Sequence, residues 1–137
     1  MKKIIFAGLC CLLCLITKGQ NFTVKGSQNC GGFIINSITQ DKTPGSKAVI
    51  YGNINHCADK AQAAFSIIII YDEAYKKADT IKADRFGKYK KAIIPGRYKI
   101  WAGQVHYGSI ETNLIDFDAQ TATELDLYLA TDPPIKD

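Results

Sequence analysis

Downstream of residue 20, no stretch of twelve residues carries an apolar repeat at helical spacing, and the commonest pattern is alternation. Glu124-Leu125-Asp126-Leu127-Tyr128-Leu129 puts three leucines on one face and polar groups on the other, as a half-buried strand requires. Residues 97–102 (RYKIWA) alternate in the same way, and 48–55 (AVIYGNIN) and 65–71 (FSIIIIY) are rich in β-branched and aromatic residues. The run Ile67 to Ile70 lacks alternation and predicts a central strand covered on both faces. Weaker candidates are 33–39, 80–83, 88–94 and 110–117. Thr43-Pro44-Gly45-Ser46, Asp84-Arg85-Phe86-Gly87 and Pro95-Gly96 supply turns between them. Only 59–64 and 72–77 could hold a helical turn, and Pro133-Pro134 should take 131–137 out of the sheet. Strands at such spacing predict an antiparallel β-sandwich of seven or eight strands across 48–130. Its expected core is Ile54, Ile67, Ile69, Tyr89, Tyr98, Ile100, Leu125, Leu127 and Leu129. A length of 137 residues with 22% charged residues suits one globular domain and excludes a disordered chain.

Residues 1–20 have a different character. Lys2 and Lys3 precede an unbroken apolar run, 4–16, followed by Thr17-Lys18-Gly19-Gln20. As a helix the run would reach roughly 20 Å, short of a hydrocarbon core of about 30 Å, so it does not span a membrane. A basic start, a short apolar helix and small or polar residues after it compose a secretory signal peptide, with cleavage expected near Gly19 or Gln20. Leu9, Cys10 and Leu13 precede the three cysteines there, where lipoprotein processing needs a small residue, so a lipid anchor is disfavoured. The protein is expected outside the cytoplasm, periplasmic or secreted. The net charge of +4 does not imply nucleic acid. Three of the 17 basic residues lie in this segment, which has no acid, leaving 14 against 13 in the remainder.

Of five cysteines, only Cys30 and Cys57 follow the signal segment. In an oxidising compartment such a pair most often forms a disulfide, which would stabilise the fold by roughly 3 kcal/mol. It would also hold the stretch 33–39 near a sheet edge, giving 21–47 a place as an N-terminal extension with an added edge strand. A metal pair built on Cys57 and the adjacent His56 is the competing expectation, although the two cysteines lack the spacing of a zinc motif.

The order of segments carries a resemblance. Val49, Gly52 and Ile54 are followed by the isoleucine strand, then Asp84-x-x-Gly87-x-Tyr89, then Pro95-Gly96-x-Tyr98, then Tyr107 and a final alternating strand. Across 48–130 this resembles the carboxypeptidase regulatory-like domain, an Ig-like, transthyretin-like (prealbumin-like) β-sandwich of exported bacterial proteins. The resemblance implies a tight hairpin turn bounded by Asp84 and Gly87, with Tyr89 and Tyr98 on the strands flanking the Pro95-Gly96 reversal. It implies a structural, docking or ligand-binding module and no cofactor. The first connection departs from the family pattern: Asp59-Lys60-Ala61-Gln62-Ala63-Ala64 stands where a Gly-x-Pro-Leu-like stretch is common.

No sequence signature of a known catalytic site is present: neither HExxH nor GxSxG, and neither a P-loop nor GxGxxG. The hydroxyisourate hydrolases of transthyretin architecture end in Tyr-Arg-Gly-Ser and use several histidines, unlike a chain with two histidines that ends Ile135-Lys136-Asp137. A triad of Ser109, His106 and Asp116 is a chance combination. Asp116 and Asp118 flank Phe117 on one strand face and are expected to be solvated. The chain therefore reads as a non-catalytic module with a protein or glycan partner. A small enzyme or metal-binding protein using His56 and His106 is the alternative.

The candidate ligand-binding residues are Trp101, the only tryptophan, and Tyr107, with Tyr51, Tyr71, Tyr75 and Tyr128 as further available aromatics. Alternation puts Trp101 opposite Tyr98 and Ile100. If those two face the core, Trp101 either faces outward as a binding platform or packs under the N-terminal extension. Lys88, Lys90 and Lys99 alternate with Tyr89, Tyr98 and Ile100 and are expected on a solvated face that discourages edge pairing, with an anionic partner as the alternative.

Overall fold

A computed structural model describes residues 20–25, 29–105 and 107–130. Residues 1–19, on which the signal-peptide expectation falls, 26–28, His106 and the tail 131–137 lie outside the described residues. Ten strands follow one another with no helix among the described residues: β1 (Gln20–Lys25), β2 (Asn29–Gln40), β3 (Ala48–His56), β4 (Ile67–Tyr71), β5 (Lys77–Lys82), β6 (Lys88–Ile93), β7 (Gly96–Gly103), β8 (Ile110–Glu111), β9 (Ile115–Phe117) and β10 (Thr121–Leu129). They form two packed sheets, β1-β2-β10-β3-β6 and β5-β4-β7-β8, with β9 also paired to β7. The all-β sandwich expected from alternation is the observed architecture, with eight strands between Ala48 and Leu129.

The core lies between the sheets. Leu125, Leu127 and Leu129 are fully buried, with Ile54, Tyr89, Tyr98 and Ile100 also inside. Ile67 and Ile69 are not. The inward residues of β4 are Ile68 and Ile70, both 0% exposed, whereas Ile67, Ile69 and Tyr71 are half-buried on the outer face. Four successive isoleucines carry no phase of their own, and pairing of Ile70 with Ile100 sets which two turn inward.

Both turns expected to make hairpins instead carry the chain from one sheet to the other. Between β5 and β6, Asp84 Oδ1 accepts N–H bonds from Phe86 (2.8 Å) and Lys88 (2.9 Å). The Lys88 amide, and to a lesser degree that of Phe86, hold the Asp84 carboxyl below the usual carboxylate range. Gly87 has φ of 73° and its carbonyl accepts the Ile54 amide at 2.7 Å, so the turn is tied into the opposite sheet. The Pro95-Gly96 corner crosses back from β6 to β7. Neither 59–64 nor 72–77 forms a helical turn. Asp59 and Asp72 each accept backbone N–H groups two residues on, a side-chain bond that competes with helix formation.

Two further departures concern pairing. The sandwich is antiparallel except that β10 runs parallel to β3. The stretch 33–39 pairs with the edge of the 48–130 sheet, along β10, as expected, but it is not the outermost strand, because β1 pairs with β2 beyond it. Its pairing with β10 is irregular near Asn36, where two β2 residues face one position of β10. The Asp126 carboxylate spans this irregular region, accepting from Asn36 Nδ2 (2.6 Å) on β2 and the Asn53 amide (2.9 Å) on β3.

Cys30 and Cys57 form a disulfide with their Cα atoms 5.7 Å apart. Strands flanking a third stand roughly 9.5 Å apart, so the bridge closes only where β10 stops, beyond Leu129. Strand β2, the turn 41–47, β3 and the disulfide thereby make a closed covalent frame with β10 inside it, bonded to both sides. At the other end, the Asp41 amide donates to Gln120 O (2.8 Å) and the Gln120 amide to Lys47 O (2.9 Å), seating the start of β10 against the turn.

Gly52 faces inward on β3 opposite Tyr89 of β6. A Cβ there would overlap the Leu125 carbonyl, the same oxygen that accepts a short hydrogen bond from the Tyr89 hydroxyl. The absent side chain leaves the corridor through which Tyr89 reaches β10 under β3. Burial pushes the Tyr89 phenol well above its ordinary pKa, keeping it a donor. Gly52→Ala should lower stability by about 2 kcal/mol through overpacking against backbone, read as a lower urea midpoint at constant slope. An unchanged midpoint would show that β10 yields at no cost.

Candidate functional site

The two sheets differ in what they turn toward solvent. On the β1-β2-β10-β3-β6 sheet the outward positions among the described side chains are chiefly polar: Asn36, Ser37, Glu124, Asp126, Asn53, Lys88 and Lys90, several bonded to one another, with Ile34, Tyr51 and Tyr128 set among them. On the β5-β4-β7-β8 sheet the centre of the outward face is apolar or aromatic, with Lys77, Thr80, Lys82, Lys99 and Glu111 around it. Ile67, Ile69 and Trp101 floor a shallow depression of about 530 Å³, walled by Phe65, Val105 and Tyr107 and edged by Gln104 and Ser109. Phe65 is 57% exposed and Val105 78%.

Trp101 faces outward, as alternation with Tyr98 and Ile100 allowed. It does not pack under the N-terminal extension, because β1 and β2 belong to the opposite sheet. The indole lies along β7 over Gly103, two residues on and on the same face. A Cβ at 103 would sit 2.5 Å from Trp101 Cη2 and 2.9 Å from Cζ2. Gly103 is therefore the floor of the ring. Gly103→Ala should lift the indole and red-shift the Trp101 emission, with stability within about 1 kcal/mol of the parent since a strand glycine is itself unfavourable. An unshifted emission spectrum would mean that the ring does not rest there.

Tyr107, the second candidate, is at the rim, stacked on His56 with ring centroids 3.9 Å apart. Gln104 fixes this pair: its Nε2 donates to Ala64 O (2.6 Å), which turns Oε1 toward His56 Nε2 at 2.6 Å. With the amide so oriented, His56 Nε2 carries the proton and donates. His56 Nδ1 stands 3.9 Å from Asp59. The imidazole positions a loop aromatic. The neighbouring Cys57 sulfur is in the disulfide and offers no thiolate. Among the described residues, no three His, Cys, Asp or Glu side chains converge as a metal set.

The remaining sequence candidates are dispersed. Ser109 lines the depression beside β8, while Asp116 on β9 is bonded to Arg97 (3.0 Å) at the far end of β7. By strand rise these two positions are roughly 20 Å apart, so they form no catalytic pair. Asp116 and Asp118 are exposed on either side of buried Phe117, as expected of solvated acids. Strands β8 and β9 are separated because Thr112 takes over the pairing: its hydroxyl accepts the Ile100 amide (3.0 Å) and donates to Asn113 O (2.8 Å).

Of three more side chains of this face, Tyr71 and Tyr75 were among the available tyrosines, and Phe65 was not named by sequence. Phe65 precedes β4, Tyr75 follows it, and Tyr71 ends it. Tyr75 stacks on Tyr71 (centroids 4.7 Å, planes 6° apart) and its hydroxyl donates to Glu111 (2.8 Å), a bond that raises the phenol pKa above its ordinary value. The signal for Tyr71 was present, since it shares the face of Ile67 and Ile69. Phe65 and Tyr75 sit in turns, where alternation says nothing.

The fold and its outer face define an all-β sandwich with one solvated sheet and one aromatic sheet. The chain matches no protein-family model, and no curated protein is similar to it.

Proposed function

We propose that this protein is an exported, non-catalytic β-sandwich module that holds a protein or glycan partner at the cell envelope or outside the cell. The contrast between the two outer faces carries the proposal. One sheet is finished with mutually bonded polar side chains, while the other leaves Trp101, Tyr107 and their apolar neighbours open to solvent on a rigid strand platform. The buried disulfide and the basic-then-apolar start of the chain support an oxidising destination. The order of segments from Ala48 to Ala130 supports a module of the carboxypeptidase regulatory-like kind, in which the fold serves docking.

The test uses the processed chain. Intact mass of the product recovered from envelope or medium should place its first residue within a few positions of Gln20. Immobilised, this chain should retain a defined component of envelope extract, and Trp101→Ala with an unchanged melting curve should lose it. A product retaining Met1 removes the export part, and equal retention by the variant, or none by either, removes the binding part.

A further inference from the structure

The strand register sorts the outer face of the aromatic sheet into three rows. Lys77, Tyr71 and Lys99 form one, Thr80, Ile69, Trp101 and Glu111 the next, and Lys82, Ile67 and Gly103 the third. Successive rows lie roughly 6.6 Å apart along the strands. Each has an apolar or aromatic centre and polar or charged ends.

Phe65 and Tyr75 continue the aromatic line past the two ends of β4. Both hold left-handed backbone, φ 57° and 61°, and both are more than half exposed. Glycine or asparagine is the ordinary occupant of such turn positions, so turn geometry does not ask for an aromatic there. Core packing does not ask for one either, since the rings face solvent. Strained backbone that presents a side chain outward is a functional signal. Phe65 and Trp101 thus share the depression, the indole laid flat on Gly103, while Tyr75 stacks on Tyr71 beyond the other end of β4.

Charged groups stand beside these rings. Lys82 Nζ is 5.5 Å from the Phe65 centroid and Lys99 Nζ 5.7 Å from that of Tyr75. A sugar chain asks for the arrangement seen here, because a pyranose offers a C–H face to an aromatic ring and hydroxyls around its edge. The charge balance narrows the class. Glu111 is engaged by Lys99 (3.8 Å) and the Tyr75 hydroxyl, while Lys77 and Lys82 have no carboxylate partner among the described residues. The face is net positive.

We propose that this face binds an acidic linear glycan running along β4, its rings stacked on Phe65 and Trp101 and its anionic groups met by Lys77, Lys82 and Lys99. The proposal rests on the binding-module reading and names its ligand class.

The processed chain is run by affinity electrophoresis through polygalacturonate, alginate and chondroitin sulfate, and through neutral hydroxyethylcellulose. At least one acidic polymer should retard it and shift the Trp101 emission, with neutral binding roughly tenfold weaker or absent. Trp101→Ala should lose roughly tenfold or more in affinity, as a central aromatic contact does. Should that variant not fold, Gly103→Ala, which displaces the same ring, should weaken binding too. Lys82→Gln combined with Lys99→Gln should cost roughly tenfold and flatten the salt dependence. Retardation by none of the acidic polymers, equal retardation by the neutral one, or binding indifferent to Trp101 overturns the proposal. A protein captured from envelope through Trp101, with no glycan bound, overturns it while leaving the module reading intact; capture of nothing removes both.

Discussion

Leu127→Ala should destabilise the protein by roughly 2–5 kcal/mol, in the upper part of that range if the site cannot collapse. Leu127 is 0% exposed, pairs with Phe33 on one side and Ile54 on the other, and belongs to the central strand of its sheet. Both neighbours are anchored, β2 and β3 by the disulfide and β3 additionally by the Tyr89 bond under it, so the walls cannot move in to fill the void. Chemical denaturation should show the loss as a lower midpoint with an unchanged slope. A change below about 1 kcal/mol would mean that the two sheets close over the gap and that the frame around β10 is softer than its pairing indicates.

Replacement of Cys30 and Cys57 by serine should remove roughly 3.5 kcal/mol, the chain-entropy value for a cross-link over a sequence separation of 27. Both cysteines are buried, and the bridge spans the point at which β10 ends. Its loss should therefore also be seen locally, as faster amide exchange at Cys57, whose N–H donates to Leu129 O, than at Ile68 or Ile100 in the other sheet. Free-thiol counting on the unreduced mature protein should give none. Two reactive thiols, or a double variant as stable as the parent, would separate the bridge from the stability of the fold.

Much of the architecture was legible in local pattern. The alternation of residues 124–129 marks the strand that fills the first sheet, and the inward tyrosines at 89 and 98 follow from the strands around the Pro95-Gly96 corner. The phase of β4 was not legible, because a side-chain period of two cannot be read from four identical residues. Nor does turn chemistry say whether a corner returns to the same sheet or crosses to the other; Asp84 and Gly87 bond the same way in either case, and only Ile54, thirty-three residues upstream of Gly87, reveals the crossing. Asp126 reads as one more outward polar residue until the irregular pairing of β2 opens a place for its carboxylate. At the candidate site, the outward turn of Trp101 follows from its neighbours, and its support two residues away is written as Trp-x-Gly. The exposed rings of Phe65 and Tyr75 depend on left-handed backbone, which no apolar periodicity records.

The covalent frame around β10 also dictates an order of assembly. Its two long sides, β2 and β3, are neighbours in the chain, whereas the strand that fills the frame lies more than sixty residues later. Pairings of such sequence separation form slowly, after the local ones. Until β10 arrives, β2 and β3 face each other across an empty slot with unpaired backbone on both inner edges. The first sheet therefore cannot be completed while the C-terminal third of the chain is still being synthesised or translocated. Under the export proposed above, a keystone drawn from the C-terminal third keeps the chain threadable until that third has passed through the membrane.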